Sequence, residues 1–339
     1  MTGRKPPEHP ITSAASVARL YWVVARKPAF RRLYLRLIRS IFRTYFRPQF
    51  FRPRGHTRIP LDMELDALVP FDPTWLPCYL GFVRLWVGSL GWMHLRFGDR
   101  ALPEMEGFVA GLEALFLEAR KVFSQCDSTV ATRPGPRPSL DSLLIHLSDR
   151  NSFCFPSLHV MIVRYNAARV AESLERLKAP GEDFSAEKAF LEERALRIVE
   201  SIIHVKQHSL SDIPAGLFLL RALRSAPGAS VGTERADGAR PGGASAPAAA
   251  GMEEDLRFLE LLFADSAGPA EVDGKDAKEV KDGGEGDRSG RVRRMRAFMQ
   301  ALYHRLHEGH GSGGDPHVVL LEFLRKYEEE VGALLGKTG

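Results

Sequence analysis

The chain has 339 residues, 44% of them hydrophobic, and carries a net charge of +5; that length holds one large domain or two modest ones, and the hydrophobic share is low for a polytopic membrane protein. The positive balance favours anionic partners such as lipid headgroups or nucleic acid. Cys78, Cys126 and Cys154 are too few and too scattered for a disulfide framework or a zinc site and read as buried thiols.

In chain order, residues 1–14 are polar and Pro-rich and read as disordered, and no apolar run follows a short basic start, so secretion as a soluble protein is not expected. Between Ala29 and Phe51, Arg32, Arg36, Arg39 and Arg43 recur at helical spacing, with Tyr34, Ile38, Ile41 and Tyr45 on the opposite face. That pattern suits a helix lying in an anionic membrane interface; it also suits one packed on a core with a solvated charged face. No nucleic-acid reader motif accompanies the charge, so no nucleic-acid partner is expected. Trp75 to Leu95 has about the length of a membrane span, with Trp near both ends and only Arg84 charged. A charge inside a span is costly unless it faces a polar site, so Arg84 is either a phosphate contact or a sign that this helix does not span. Phe108 to Phe123 is interrupted by Glu113, Glu118 and Arg120.

The run from Arg133 to Pro138 breaks any helix and predicts an exposed loop, with Arg150 beyond it as a second candidate phosphate contact. Phe155-Pro-Ser-Leu-His159 follows, where Ser157 reads as the N-cap of an apolar helix that carries His159 in its first turn. The free amides of such a helix start form an anion site. After a long helix over Ser185 to Val205 comes Lys206-Gln-His208-Ser-Leu-Ser-Asp212. His208 and Asp212, four residues apart, share one face if the segment is helical, which makes Asp212 the group that orients the His208 ring. Lys206 is placed to neutralise phosphate oxygens. Two histidines, a carboxylate and a cation are what metal-free phosphoryl transfer requires: one imidazole attacks phosphorus and the other protonates the departing alkoxide.

Past Arg224 the composition turns Gly-, Ala- and Pro-rich, then Gly-, Asp- and Lys-rich, with a short amphipathic helix near 253–263 between. Two further helices are predicted over about Arg291 to His307 and Pro316 to Leu335. The histidines His304, His307, His310 and His317 match no familiar ligand spacing, so no metal is expected there. These tail helices are expected to dock on the bundle or to bind a partner that the sequence does not identify.

The two motifs resemble the phosphatidic acid phosphatase type 2 superfamily, with its proline-serine-x-histidine and histidine-x3-aspartate signatures. They are most similar to the branch of inositol phosphorylceramide synthases and related lipid phosphotransferases. Leu65-Asp66-Ala-Leu-Val-Pro70-Phe-Asp-Pro73 is a third, weaker match, and the likeness covers about residues 60–225. It departs from the pattern twice: the superfamily's lysine-then-Arg-Pro motif has no counterpart beyond Arg52-Pro53, and Ser201-Ile202 stands where Ser-Arg is usual. The resemblance implies a largely membrane-embedded bundle of about six helices, with His208 as nucleophile, His159 as general acid and Asp212 as partner of His208. Lys206 and Ser157 would hold the phosphate.

The expected protein is therefore all-α: a phosphatidic acid phosphatase type 2-like bundle over 15–225, a mostly disordered linker over 226–290, and a small helical appendage over 291–339. It is expected to be a metal-independent lipid phosphatase or lipid phosphotransferase of the cell membrane, without cofactor, acting on a lipid phosphate ester. The alternative is a catalytically weak lipid-phosphate binder or membrane-surface scaffold.

Overall fold

The computed structural model describes residues 8–51, 58–130, 152–225, 246–264, 285–311 and 314–338. They are overwhelmingly helical. Extended structure among them is confined to β1 (Arg58–Pro60) and β2 (Asp127–Thr129), which pair in parallel with Ile59 opposite Ser128.

Local sequence starts and stops most of the helices. Ser13 caps α1 (Ala14–Arg26) by accepting from the Ser16 amide. Extended backbone at Lys27 ends it, and Pro28, pre-set for a first helical position, opens α2 (Pro28–Ile41). A π-turn over Phe42–Phe46 and the short α3 (Arg47–Phe50) continue it. Proline again stands in the first turn of α4 (Leu76–Phe97) and of α5 (Leu102–Phe123), and α4 stops at Gly98, whose φ of 61° is one that glycine adopts readily. Beyond β2 come α6 (Leu158–Leu177), α7 (Ser185–His204), α8 (Asp212–Ser225), α9 (Ala246–Leu261), α10 (Glu285–His310), α11 (Pro316–Arg325) and α12 (Tyr327–Thr338).

Helix α4 is central. Every residue from Leu85 to His94 is buried, with α1, α6 and α7 packed around the helix. The Leu85–His94 half of the candidate span is thus covered by protein, while Val83 and Leu95 stay exposed. No helix among the described residues is long and apolar enough to cross a membrane. Backbone meets backbone where the N-terminal turn and α1 cross it: a Cβ on Gly88 would lie 2.3 Å from the Ile11 carbonyl oxygen, and one on Gly91 would lie 1.7 Å from that of Ser16. Order therefore begins earlier than the composition suggested, with a 3-10 turn at Pro10–Thr12 and Ile11 fully buried.

The C-terminal helices pack on the bundle and share its core. Asp255 of α9 takes Arg221 of α8 at 3.0 Å and the Tyr303 hydroxyl of α10 at 2.6 Å. Phe323 of α11 stacks on Phe155 with ring centres 5.6 Å apart. Helix α9 begins at Ala246, well before the helix expected near 253–263. Residues 226–245 and 265–284, where a disordered linker was expected, lie outside the described residues, as does the loop at 133–138.

Gly91→Ala should lower the unfolding free energy by about 3 kcal/mol, the upper end of overpacking costs. Gly332→Ala in α12, with nothing within 4 Å of the added carbon, should raise it by up to about 1 kcal/mol through helix propensity. Urea unfolding of both variants checks the pair.

Candidate active site

Two loops meet at the starts of α6 and α8. On the first, the Phe155 amide donates to Ser128 Oγ at 2.8 Å, which ties the segment to β2. Ser157 caps α6 by accepting from the Val160 amide, and the capped helix holds His159 in its opening turn. The second loop turns sharply at Lys206, whose φ is 55°. The amides of Gln207 and His208 both return to the Ile202 carbonyl. The loops are joined by the Ser157 amide donating to the Asp212 carbonyl at 3.2 Å. Gly216 permits that approach, because a Cβ there would sit 2.9 Å from the Ser157 carbonyl oxygen.

This junction corrects one expectation. His208 and Asp212 do not lie on one helix: α8 begins only at Asp212, and His208 sits in the preceding turn. The pair forms because the turn doubles back, with Asp212 Oδ2 accepting from the Ser209 amide at 3.0 Å and lying 2.9 Å from His208 Nδ1.

Four expected residues converge. His208 Nε2 lies 3.1 Å from His159 Nδ1 and 3.4 Å from Ser157 Oγ, while its other nitrogen faces Asp212. All four are buried, Asp212 and Ser157 completely. An ionised Asp212 accepts the Nδ1–H of His208, which leaves Nε2 with its lone pair toward His159 and Ser157. Burial, then the neighbouring His208, holds the His159 imidazole well below its usual basicity, so it rests neutral. Burial also raises Asp212, against the lowering effect of His208.

Lys206 is nearby but committed elsewhere. Its ammonium donates to the carbonyls of Asp66 and Val69 at 2.6 and 2.5 Å, clamping the Leu65-to-Pro73 segment onto the His208 loop. Burial lowers its pKa and Asp66 opposes that. In the described geometry it therefore braces the loop instead of reaching the dyad, contrary to the phosphate contact expected from its position. Arg84 departs further: its guanidinium donates to the Thr12 carbonyl at 2.8 Å and pairs with Glu8, at the partly exposed seam between α1 and α4. Arg150 lies outside the described residues. Of the tail histidines, His307 and His310 pack on Phe218 and His317 lies 3.0 Å from Glu118.

Three features escaped the sequence. Asp66 is a buried hub, accepting from the Ser209 hydroxyl and Leu210 amide at 2.8 Å and from the Met63 amide at 3.1 Å. The third motif match held Asp66 but named no partner for it. Second, Tyr79 and Phe82 pack on the His159 ring at 4.8 and 4.6 Å. Third, an apolar cavity of about 410 Å³ reaches from His159 and Leu158, past Trp86 and Phe116, to Ile38 and Phe42. No local pattern announces it, since α2, α4, α5 and α6 each contribute one wall.

Cys154, His208 and Asp212 present ligand atoms within 4.8 Å of one another, and these would be the residues to hold a soft or borderline cation. Comparisons with protein-family models, curated proteins and solved structures found no match to this chain.

Burial lifts the Asp66 carboxyl to about 7, with the Leu210, Ser209 and Met63 donors restraining the rise. An unfolded aspartate releases its proton near pH 4. The folded state thus keeps a proton that the unfolded state loses, and this contribution to stability falls as pH rises from about 4 to about 7. Asp66→Asn removes it. The variant's stability relative to wild type should therefore climb across that window, as read by urea unfolding at a series of pH values; a constant difference would refute the assignment.

Proposed function

We propose that this protein is a metal-independent lipid phosphatase or phosphotransferase that works through a phosphohistidine on His208, and that its all-helical core is a bundle of the phosphatidic acid phosphatase type 2 kind. One observation carries the proposal: His208 Nε2 lies 3.1 Å from His159 Nδ1, with Asp212 on the opposite nitrogen. A ring oriented by a buried carboxylate, with its Nε2 lone pair turned toward a second imidazole, is suited to nucleophilic attack followed by proton transfer. The apolar cavity that ends at His159 suits a substrate with a hydrocarbon tail and falls within the range of about 300–1,000 Å³ common for ligand pockets.

In the proposed reaction the phosphate displaces the His208–His159 hydrogen bond, parting the two rings, and is held by Ser157 and the free amides at the start of α6. The anion raises the depressed proton affinity of His159, which becomes imidazolium. His208 Nε2 then forms the N–P bond as the ester O–P bond breaks, and His159 gives its proton to the departing alkoxide. Water or an acceptor hydroxyl next attacks the phosphohistidine, losing its proton to His159, and the N–P bond breaks. Asp212 holds the His208 ring throughout and favours the charge it develops.

One observation favours a second reading, a catalytically weak lipid-phosphate binder: the Lys206 ammonium is engaged by two carbonyls and leaves the dyad without its expected cation. Assay of the purified chain with EDTA on phosphatidic acid and on p-nitrophenyl phosphate separates the two. His208→Ala should abolish turnover, His159→Ala should lower it by about 10²–10⁴-fold, and His304→Ala should leave it unchanged. Acid-quenched wild type should carry phosphate on His208. Equal residual turnover in wild type and His208→Ala removes the enzyme reading, and phosphate-ester binding without turnover establishes the second.

A further inference from the structure

The N-terminal hairpin carries a surface that the site does not use. Residues 14–51 contain nine arginines and lysines and not one aspartate or glutamate, a larger charge than the net +5 of the whole chain. On α2, Phe30, Tyr34 and Leu37 are buried, and Arg32, Arg36, Arg39 and Arg43 form an exposed row. Between the two faces runs an exposed apolar stripe of Leu35, Ile38 and Phe42, and Phe50 and Phe51 further along the chain are exposed as well, the last 75%. Arg36 pairs with Glu113 at 2.7 Å, whereas Arg32, Arg39 and Arg43 have no carboxylate partner among the described residues.

Ile38 and Phe42 also line the apolar cavity, as does the exposed Val83 of α4, so the mouth opens through this stripe while the inner end is closed by His159. A shallower depression lined by Tyr21 and Ala18 of α1 shares Val83 and Leu80 with the mouth and carries the apolar surface across to α1. A row of arginines beside large apolar side chains matches an anionic bilayer, with charge at the headgroups and Leu, Ile and Phe at the acyl boundary. A polyanion such as RNA would answer the charge and leave the stripe and the cavity mouth unexplained.

We infer that the Arg32-to-Phe51 face docks the protein on an anionic lipid surface, with the mouth of the His159 cavity set against the bilayer. A lipid tail then passes from the acyl layer into the cavity without crossing water. The docking stands on the surface itself, while the delivery of a tail to His159 rests on the lipid-phosphate reading above.

Flotation of the full chain with phosphatidylcholine vesicles, with and without phosphatidylglycerol, tests the docking. Binding should require the anionic lipid and weaken with salt. The Arg32→Gln, Arg39→Gln, Arg43→Gln variant should bind about a hundredfold more weakly. The Leu35→Ser, Phe50→Ser, Phe51→Ser variant, altered only at exposed positions off the cavity lining, should lose about tenfold or more. Turnover of p-nitrophenyl phosphate should stay unchanged in both, while turnover of vesicle-borne phosphatidic acid drops with binding. If the wild type turns nothing over, the flotation arms still decide the docking. Wild type that fails to float, floats equally on neutral vesicles, or is stripped from anionic vesicles by RNA held at the same total charge overturns the inference. So do variants that float like wild type, or that merely convert a self-associated protein to monomer in sedimentation velocity.

Discussion

The hydrogen bond from the Ser157 amide to the Asp212 carbonyl is the constraint on which the rest of the site depends. It locks the first turn of α6 to the first residue of α8, and the two imidazoles come together only because those helix starts do. Gly216 makes the approach sterically permissible, and Asp66 secures it from the other side through the Ser209 hydroxyl and the Leu210 amide. Lys206 closes the arrangement by clamping the 65–73 segment onto the same loop. A buried ammonium bonded to two carbonyls, next to a buried carboxyl that takes three donors, is costly to desolvate and is retained when every partner is in place. The polar network is thus structural scaffolding for a dyad that carries no cation of its own in the described geometry.

Dryness is the second theme. His159 sits between a carboxylate-backed imidazole on one side and the Tyr79 and Phe82 rings on the other, at the closed end of an apolar cavity. In such surroundings an imidazole stays neutral until an anion arrives. Low dielectric also strengthens the interactions of the Asp212–His208 pair.

The tail is integral to this architecture. Tyr327 of α12 donates to the Leu61 carbonyl at 2.6 Å and lies 3.0 Å from Ser211 Oγ, immediately behind Asp212. Phe323 covers Phe155, the residue that leads into the first motif. The C-terminal helices therefore buttress both histidine-bearing loops.

By itself the sequence determined the all-helical character, many of the helix starts and the chemical kit. Ser157 as a cap, prolines in first turns, the two histidines and Asp212 are local features, readable because helix signals and capping act over a few residues. The tertiary structure alone decided what each charged group does. Lys206 meets carbonyls 140 and 137 residues away, Arg84 turns toward α1, and Asp66 acquires its partners from the far loop. The same holds for the cavity, whose walls come from four helices, and for the burial that sets the protonation of His159. The cause is range: capping and periodicity are encoded by neighbours, whereas desolvation and the direction of a long side chain are fixed by whatever distant segment packs against it.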